Sequence, residues 1–167
     1  RIVFPDTTKK IEGNFVDGEI LNLDSAYLSY LRKNLVSSSD RTDIYVNDRN
    51  QKDLFYYSLV PPQHIKGVLV LLPGTWDRAE YVLSNNKALA QLAYDNGFAV
   101  LVPSINQRLT LNEEVLHFLN TTFSYAAEKY KLPRDKFILG GFSMGGLLSL
   151  RYTELAYEDS SQTSIVP

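Results

Sequence analysis

The chain has 167 residues, about the length of one ordinary domain. Its 17 Lys and Arg against 19 Asp and Glu leave a formal net charge of −2, with no bulk attraction to a polyanion, which argues against nucleic acid as a partner. Hydrophobic residues make up 44% and aromatic residues 12%, enough to build a core, so global disorder is excluded. The longest apolar run, residues 67–73, has the length of a strand and falls far short of the roughly 20 residues of a membrane span. The absence of cysteine excludes disulfides, thiolate metal sites and a cysteine nucleophile. The first residue is Arg and the one methionine is Met144, so a leading segment is expected to have been removed. A secretory signal would fit that, and with it a secreted or periplasmic location.

The first 42 residues read as an amino-terminal extension ahead of a domain covering 43–167. Val16-Asp-Gly-Glu19 carries a turn signal. Asp24 and Ser25 are placed to cap a short helix running through Leu35, with Leu28, Leu31 and Leu35 at helical spacing. Ser37-Ser-Ser-Asp-Arg41 reads as a linker. Residues 43–46 and 54–60 predict two strands joined by a turn over the polar stretch 47–53, the second stopped by Pro61-Pro62. The continuous apolar run from Gly67 predicts a strand buried on both faces. A helix is expected over 78–95, ended by Asn96-Gly97. Residues 98–102 form the next buried strand, stopped at Pro103. Asn112 caps a helix to Lys131 whose inner face carries Val115, Leu119, Phe123, Ala126 and Tyr130. A short strand at 136–139 and a helix at 144–158 complete the order. From Gly67, strands and helices alternate, which predicts an α/β fold with a mostly parallel sheet covered by helices on both faces. Chemistry in such folds sits at the carboxyl ends of the strands.

At one of those ends stands Gly141-Phe142-Ser143-Met144-Gly145, a G-x-S-x-G pattern between a strand and a helix. With 9 glycines and 14 serines, chance supplies it roughly 0.04 times in such a chain. The pattern answers a physical demand. A serine nucleophile has to stand clear of the sheet on a very tight turn, in a strained backbone conformation. The residues two before and two after it approach too closely for side chains, hence Gly141 and Gly145. The helix that follows aims its free N–H groups at the serine oxygen. The bland alternative is a glycine-rich turn that only packs tightly or holds a phosphate, but the G-x-G-x-x-G and G-x-x-x-x-G-K spacings are absent. An acyl-transfer serine also needs two oxyanion donors. The N–H of Met144 is one, and the loop Leu71-Leu-Pro-Gly-Thr-Trp76 is placed to supply the other, from Thr75.

The sequence here resembles the α/β-hydrolase family. The resemblance rests on Gly141-Phe-Ser-Met-Gly-Gly146, on Leu72-Pro-Gly-Thr75 after a buried strand, and on the order of strands and helices from about 43 to 159. The stretch 133–143 is most similar to the esterase, dienelactone-hydrolase and carboxylesterase branches. The resemblance implies hydrolysis of esters, sometimes amides, through an acyl-enzyme and without a cofactor or metal. The chain departs from the family at Pro73, where many members have the histidine of a His-Gly loop.

The family order is nucleophile, acid, histidine. Only 24 residues follow Ser143 and none is histidine. His64 precedes the strand at Gly67 and is expected roughly 20 Å or more from its carboxyl end. His117 falls on the polar face of its helix. Asp159 ends the last helix on the far side of the sheet, and Glu113 and Glu114 occupy a helix start, where carboxylates are common without a catalytic role. The expectation is therefore the amino-terminal part of a serine ester hydrolase, itself inert, with its acid and histidine outside this chain. Trp76, Asn106 and Arg108 are candidates to line the mouth of a small-molecule ester site. The alternative is a non-catalytic binding or scaffold protein on a hydrolase-like fold. The strand at 136–139 is expected to be a sheet edge, covered by residues 164–167, by another copy of the chain, or by a companion fragment.

Overall fold

The computed structural model describes residues 21–38, 53–75, 77–105 and 111–159. The turn at 16–19, the strand at 43–46, and residues Trp76, Asn106, Arg108 and 164–167 lie outside them.

Helix α1 is the single turn Ser25–Leu28, and it gives way to strand β1, Leu31–Ser38. The helix expected through Leu35 thus ends at Leu28 and is a strand from Leu31 onward, and part of the expected linker belongs to that strand. Leu28, Leu31 and Leu35 are not one buried stripe: Leu31 is fully buried while Leu35 is 49% exposed. What fixes β1 is antiparallel pairing with β2, Asp53–Leu59, from Leu31 opposite Leu59 to Ser38 opposite Asp53. The sheet therefore extends to the amino-terminal side of residue 42.

The remaining elements are β3 (Gly67–Leu72), α2 (Ala79–Asn85), α3 (Lys87–Asp95), β4 (Phe98–Pro103), α4 (Glu113–Tyr130), β5 (Phe137–Gly141) and α5 (Met144–Glu158). The helix expected over 78–95 is two, parted at Asn86, whose φ of −111° and ψ of 24° leave the helical region. Asn112 caps α4 as its spacing predicts, its side chain accepting from the Val115 N–H at 2.9 Å.

The five strands form one mixed sheet in the order β1-β2-β4-β3-β5. β3 runs parallel to β4 and β5, and the antiparallel pairs lie at the β1-β2 side. Period-two alternation sends residues to two cores. Val68, Val70 and Leu72 of β3 meet Leu119, Phe123 and Leu148 of α4 and α5 on one face. Leu71 of β3 and Val100 and Val102 of β4 meet Ala79, Leu83 and Ala90 of α2 and α3 on the other. This is the arrangement that continuous apolar runs at 67–73 and 98–102 imply.

Two polar clusters tie the outer elements to this frame. Asn34 donates to Ser58 Oγ at 2.9 Å, Ser58 to the Tyr130 hydroxyl at 2.9 Å, and Tyr130 to Asn34 Oδ1 at 2.7 Å, a closed ring joining β1, β2 and α4. On the other side Asp24 accepts from Gln91 at 2.9 Å, lies 2.8 Å from Lys87 Nζ, and returns its own N–H to Gln91 Oε1 at 3.0 Å.

Candidate active site

β5 runs beside β3 so that Gly141 pairs with Leu72, which brings both carboxyl ends to one place. The chain leaves β5 through Phe142, 80% exposed, and enters α5 at Met144. Ser143 makes the whole turn. Its φ of 54° is positive, as the spacing predicts. Lys131, with φ 56° and ψ 45°, shows the left-handed helical conformation that ends a helix, whereas Ser143 combines φ 54° with ψ −125°. That combination favours glycine and is strained for any residue with a Cβ.

Two glycines make the turn that tight. A Cβ on Gly141 would stand 2.6 Å from the Gly145 carbonyl carbon, and one on Gly145 would stand 2.6 Å from the Pro73 oxygen and overlap the Leu72 oxygen. The first turn of α5 therefore lies directly on the end of β3.

Ser143 is exposed, and its side chain makes no capping hydrogen bond to its own helix. The first turn of α5 closes through Gly145 N–H to Phe142 O at 3.0 Å, Gly146 N–H to Ser143 O at 3.0 Å and Leu147 N–H to Ser143 O at 3.2 Å. Met144 is the first helical residue, and its N–H belongs to the amino-terminal set that has no intrahelical acceptor.

The loop after β3 comes up against this turn. Pro73 and Gly74 are buried and Thr75 is exposed. A Cβ on Gly74 would sit 3.2 Å from Phe142 O and 3.8 Å from Ser143 Cβ. The loop reverses through an Asp77 N–H to Gly74 O bond of 3.1 Å, a turn in which Thr75 occupies a central position and is not the closing donor. Thr75, distant in sequence from Ser143 and Met144, is thus on a loop that adjoins their turn.

A concavity of roughly 500 Å³ opens beside them on the α2 side of the sheet. Leu69, Leu71, Val82 and Leu89 give it apolar walls, and Gly74, Asp77, Gly141 and Phe142 its rim toward the serine. Ser143 and Thr75 are not among the residues that line it. Sequence reading passed over Asp77, because only the turn at Gly74 brings its carboxylate to that rim.

The histidines and Asp159 lie elsewhere. His64 is exposed ahead of the amino end of β3, opposite the end that carries the serine, and His117 is exposed on α4. Asp159 caps the far end of α5. Glu113 and Glu114 open α4. Among the described residues there is no group of three or more His, Cys, Asp or Glu able to hold a metal, and no helix is long and apolar enough to cross a membrane.

No protein-family model and no curated protein matches the chain in sequence. Solved structures do match it in fold. The fluorophosphonate-binding serine hydrolase FphF of Staphylococcus aureus superposes with a TM-score of 0.59 at 14% identity, over 82% of this chain and 55% of its own. The S-formylglutathione hydrolase FrmB of the same organism gives 0.58 at 14% identity, over 82% and 57%. The esterase LipW of Mycobacterium marinum gives 0.58 at 10% identity, over 81% and 41%. The chain spans about half the length of these structures, and over that span its fold is that of the α/β-hydrolases.

Proposed function

We propose that this chain carries the nucleophile and the oxyanion donors of a serine hydrolase acting on an ester of a small or medium carboxylic acid. The observation that carries the reading is the backbone of Ser143, strained at φ 54° and ψ −125° between β5 and α5. Such strain persists only where the surroundings impose it, and it concentrates at sites of function. In this reading Ser143 Oγ attacks the ester carbonyl as a base takes its proton, and the N–H groups of Met144 and Thr75 receive the oxyanion. The tetrahedral intermediate collapses to the acyl-enzyme as the alcohol leaves with that proton, after which water releases the acid. In this reading the base that takes the serine proton comes from outside this chain; its support is that His64 stands ahead of the amino end of β3 and that His117 is exposed on α4. Residues 43–167 then form the amino-terminal part of the catalytic domain, with β1 of the preceding segment extending its sheet. Serine without its base has little nucleophilicity at neutral pH.

The test compares two proteins. The 167-residue chain is expected to show no turnover of a p-nitrophenyl ester that depends on Ser143, while a longer product of the same reading frame is expected to react with a fluorophosphonate at Ser143 and lose that reaction in Ser143→Ala. Turnover by the chain alone, abolished by Ser143→Ala, would show that a base lies within it. A longer frame with no downstream histidine and no labelling would favour the second reading, a non-catalytic binding or scaffold protein on this fold.

A further inference from the structure

We propose that Asp77 sets the charge preference of the Ser143 site, favouring esters with a cationic group near the carbonyl and disfavouring anionic ones; this rests on the reading of Ser143 as the nucleophile. The position of a Gly74 Cβ lies 3.1 Å from Asp77 Oδ2 and 3.8 Å from Ser143 Cβ. The carboxylate and the hydroxyl-bearing carbon therefore stand close to one and the same point above a bare glycine. The Asp77 N–H to Gly74 O bond holds the carboxylate's own backbone in that turn. Among the described residues lining the adjoining concavity, Asp77 is the one that carries charge. Its charged neighbours in sequence are not among the residues that line the concavity, and Glu80, 3% exposed, accepts from the Tyr57 hydroxyl at 2.7 Å. Residues 137–147, which bring β5 and the start of α5 to the site, include no charged side chain.

A carboxylate at this place has a chemical consequence. Attack by Ser143 creates a second negative charge, the oxyanion, close to the first. Like charges at such separations repel, and an anionic substituent on the ester adds to the repulsion. A cationic substituent lying between the two relieves it. The apolar walls beyond the rim suit the aliphatic part of the same molecule.

The experiment needs no catalytic base. The chain has no cysteine, so Ser143→Cys introduces one thiol whose reactivity reads the local potential. Its thiolate attacks the sulfenyl sulfur of a methanethiosulfonate, a disulfide forms, methanesulfinate leaves and the thiol proton passes to solvent. Rates are measured with trimethylammonium-ethyl, sulfonatoethyl and neutral methyl reagents, each relative to 2-mercaptoethanol. A cation-over-anion ratio well above that of the free thiol is expected, falling roughly fivefold in Asp77→Asn, retained in Asp77→Glu and shrinking with added salt. A change in the thiol's own acidity affects the three reagents alike and cancels in the ratio. A fast neutral reagent with a ratio unmoved by Asp77→Asn overturns the inference and leaves the nucleophile reading intact. A neutral reagent that reacts only after unfolding overturns the nucleophile reading, and the inference with it. Should Asp77→Asn fail to fold, a ratio in Ser143→Cys that ignores salt overturns the inference.

Discussion

The carbonyl carbon of Gly145 lies 2.6 Å from where a Cβ on Gly141 would be, so the end of β5 and the start of α5 meet with no room for a methyl group between them. The obstruction is backbone on both sides, which cannot rotate away as a side chain can. Alanine at Gly141 or Gly145 is expected to cost more than about 3 kcal/mol or to abolish folding. Gly140 is the internal control, because a Cβ there meets nothing within 4 Å. Gly140→Ala is expected to stabilise by roughly 0.4–1 kcal/mol by restricting the unfolded chain. Urea denaturation of the three variants checks this, and equal effects at all three positions would show that the close approach is not what holds the turn.

Ser143 itself stores strain that glycine would release. Ser143→Gly is expected to raise stability by about 1 kcal/mol, because φ 54° with ψ −125° costs glycine little. Ser143→Ala keeps the Cβ and the strain, and is expected to lie within about 0.5 kcal/mol of the parent. A residue kept at the expense of stability is what a functional serine predicts. A denaturation midpoint lowered by Ser143→Gly would argue against the strain.

The parts of this fold that were legible in sequence are those whose cause is local. The apolar runs of β3 and β4 end at Pro and Gly, and the elbow is a five-residue pattern with its own steric logic. What was not legible depends on distant partners. Leu28, Leu31 and Leu35 fit a helical period, and pairing with β2 from Leu31 onward overrides it. The break at Asn86 has no proline or glycine to announce it. Asp77 matters only because the turn at Gly74 meets Phe142 and Ser143, which arrive from the other end of the chain.

The Asn34–Ser58–Tyr130 ring gives a stability prediction of another kind. Asn34 is 6% exposed and Ser58 1%, so water cannot replace a lost partner freely. Tyr130→Phe is expected to cost about 1–3 kcal/mol, because the buried Ser58 hydroxyl loses its acceptor, while Asn34 Oδ1 keeps Lys129 Nζ at 3.1 Å. Tyr56 beside it is held neutral, its acidity suppressed chiefly by burial and further by Tyr130. Thermal unfolding of Tyr130→Phe checks the figure, and an unchanged midpoint would mean the ring adds nothing.

Asp24 predicts the behaviour of the amino-terminal docking with pH. Hydrogen bonds from Lys87 first, and Gln91 second, hold its carboxyl below the ordinary value of 3.8. A lowered value in the folded state means that the contribution is complete above 3.8 and is lost as pH falls through the lowered value. Protection of the Tyr27 amide, which bonds to Asp24 O at 2.9 Å, is expected to follow that course in hydrogen exchange. In Asp24→Asn the protection is expected to be weaker at neutral pH and flat through the acid range. A variant that keeps the parent's acid dependence would assign it to another group.

The last prediction concerns the outer side of β5. Among the described residues β5 pairs only with β3 and ends the strand order. Natural sheets protect such edges with charges, prolines or bulges. β5 has none of these within Phe137–Gly141; the charges and the proline lie before it, in 133–136. Phe137 is fully buried, while Ile138 remains 37% exposed on the face toward α2 and α3, beside the concavity. An apolar strand with unpaired N–H and C=O groups recruits another strand. The edge is therefore expected to be covered, by residues 164–167, by a second copy of the chain, or by a companion fragment. Light scattering across a concentration series separates these. If copies pair with one another, the apparent mass rises above that of one chain, and Ile138→Lys returns it to the monomer. If the last residues cover the edge, the intact chain stays monomeric and removal of residues 160–167 starts association. If a companion fragment covers it, that fragment, added to the chain, forms a complex that Ile138→Lys weakens. A chain that stays monomeric with and without those last residues, and that binds no such fragment, would show that β5 tolerates an open edge.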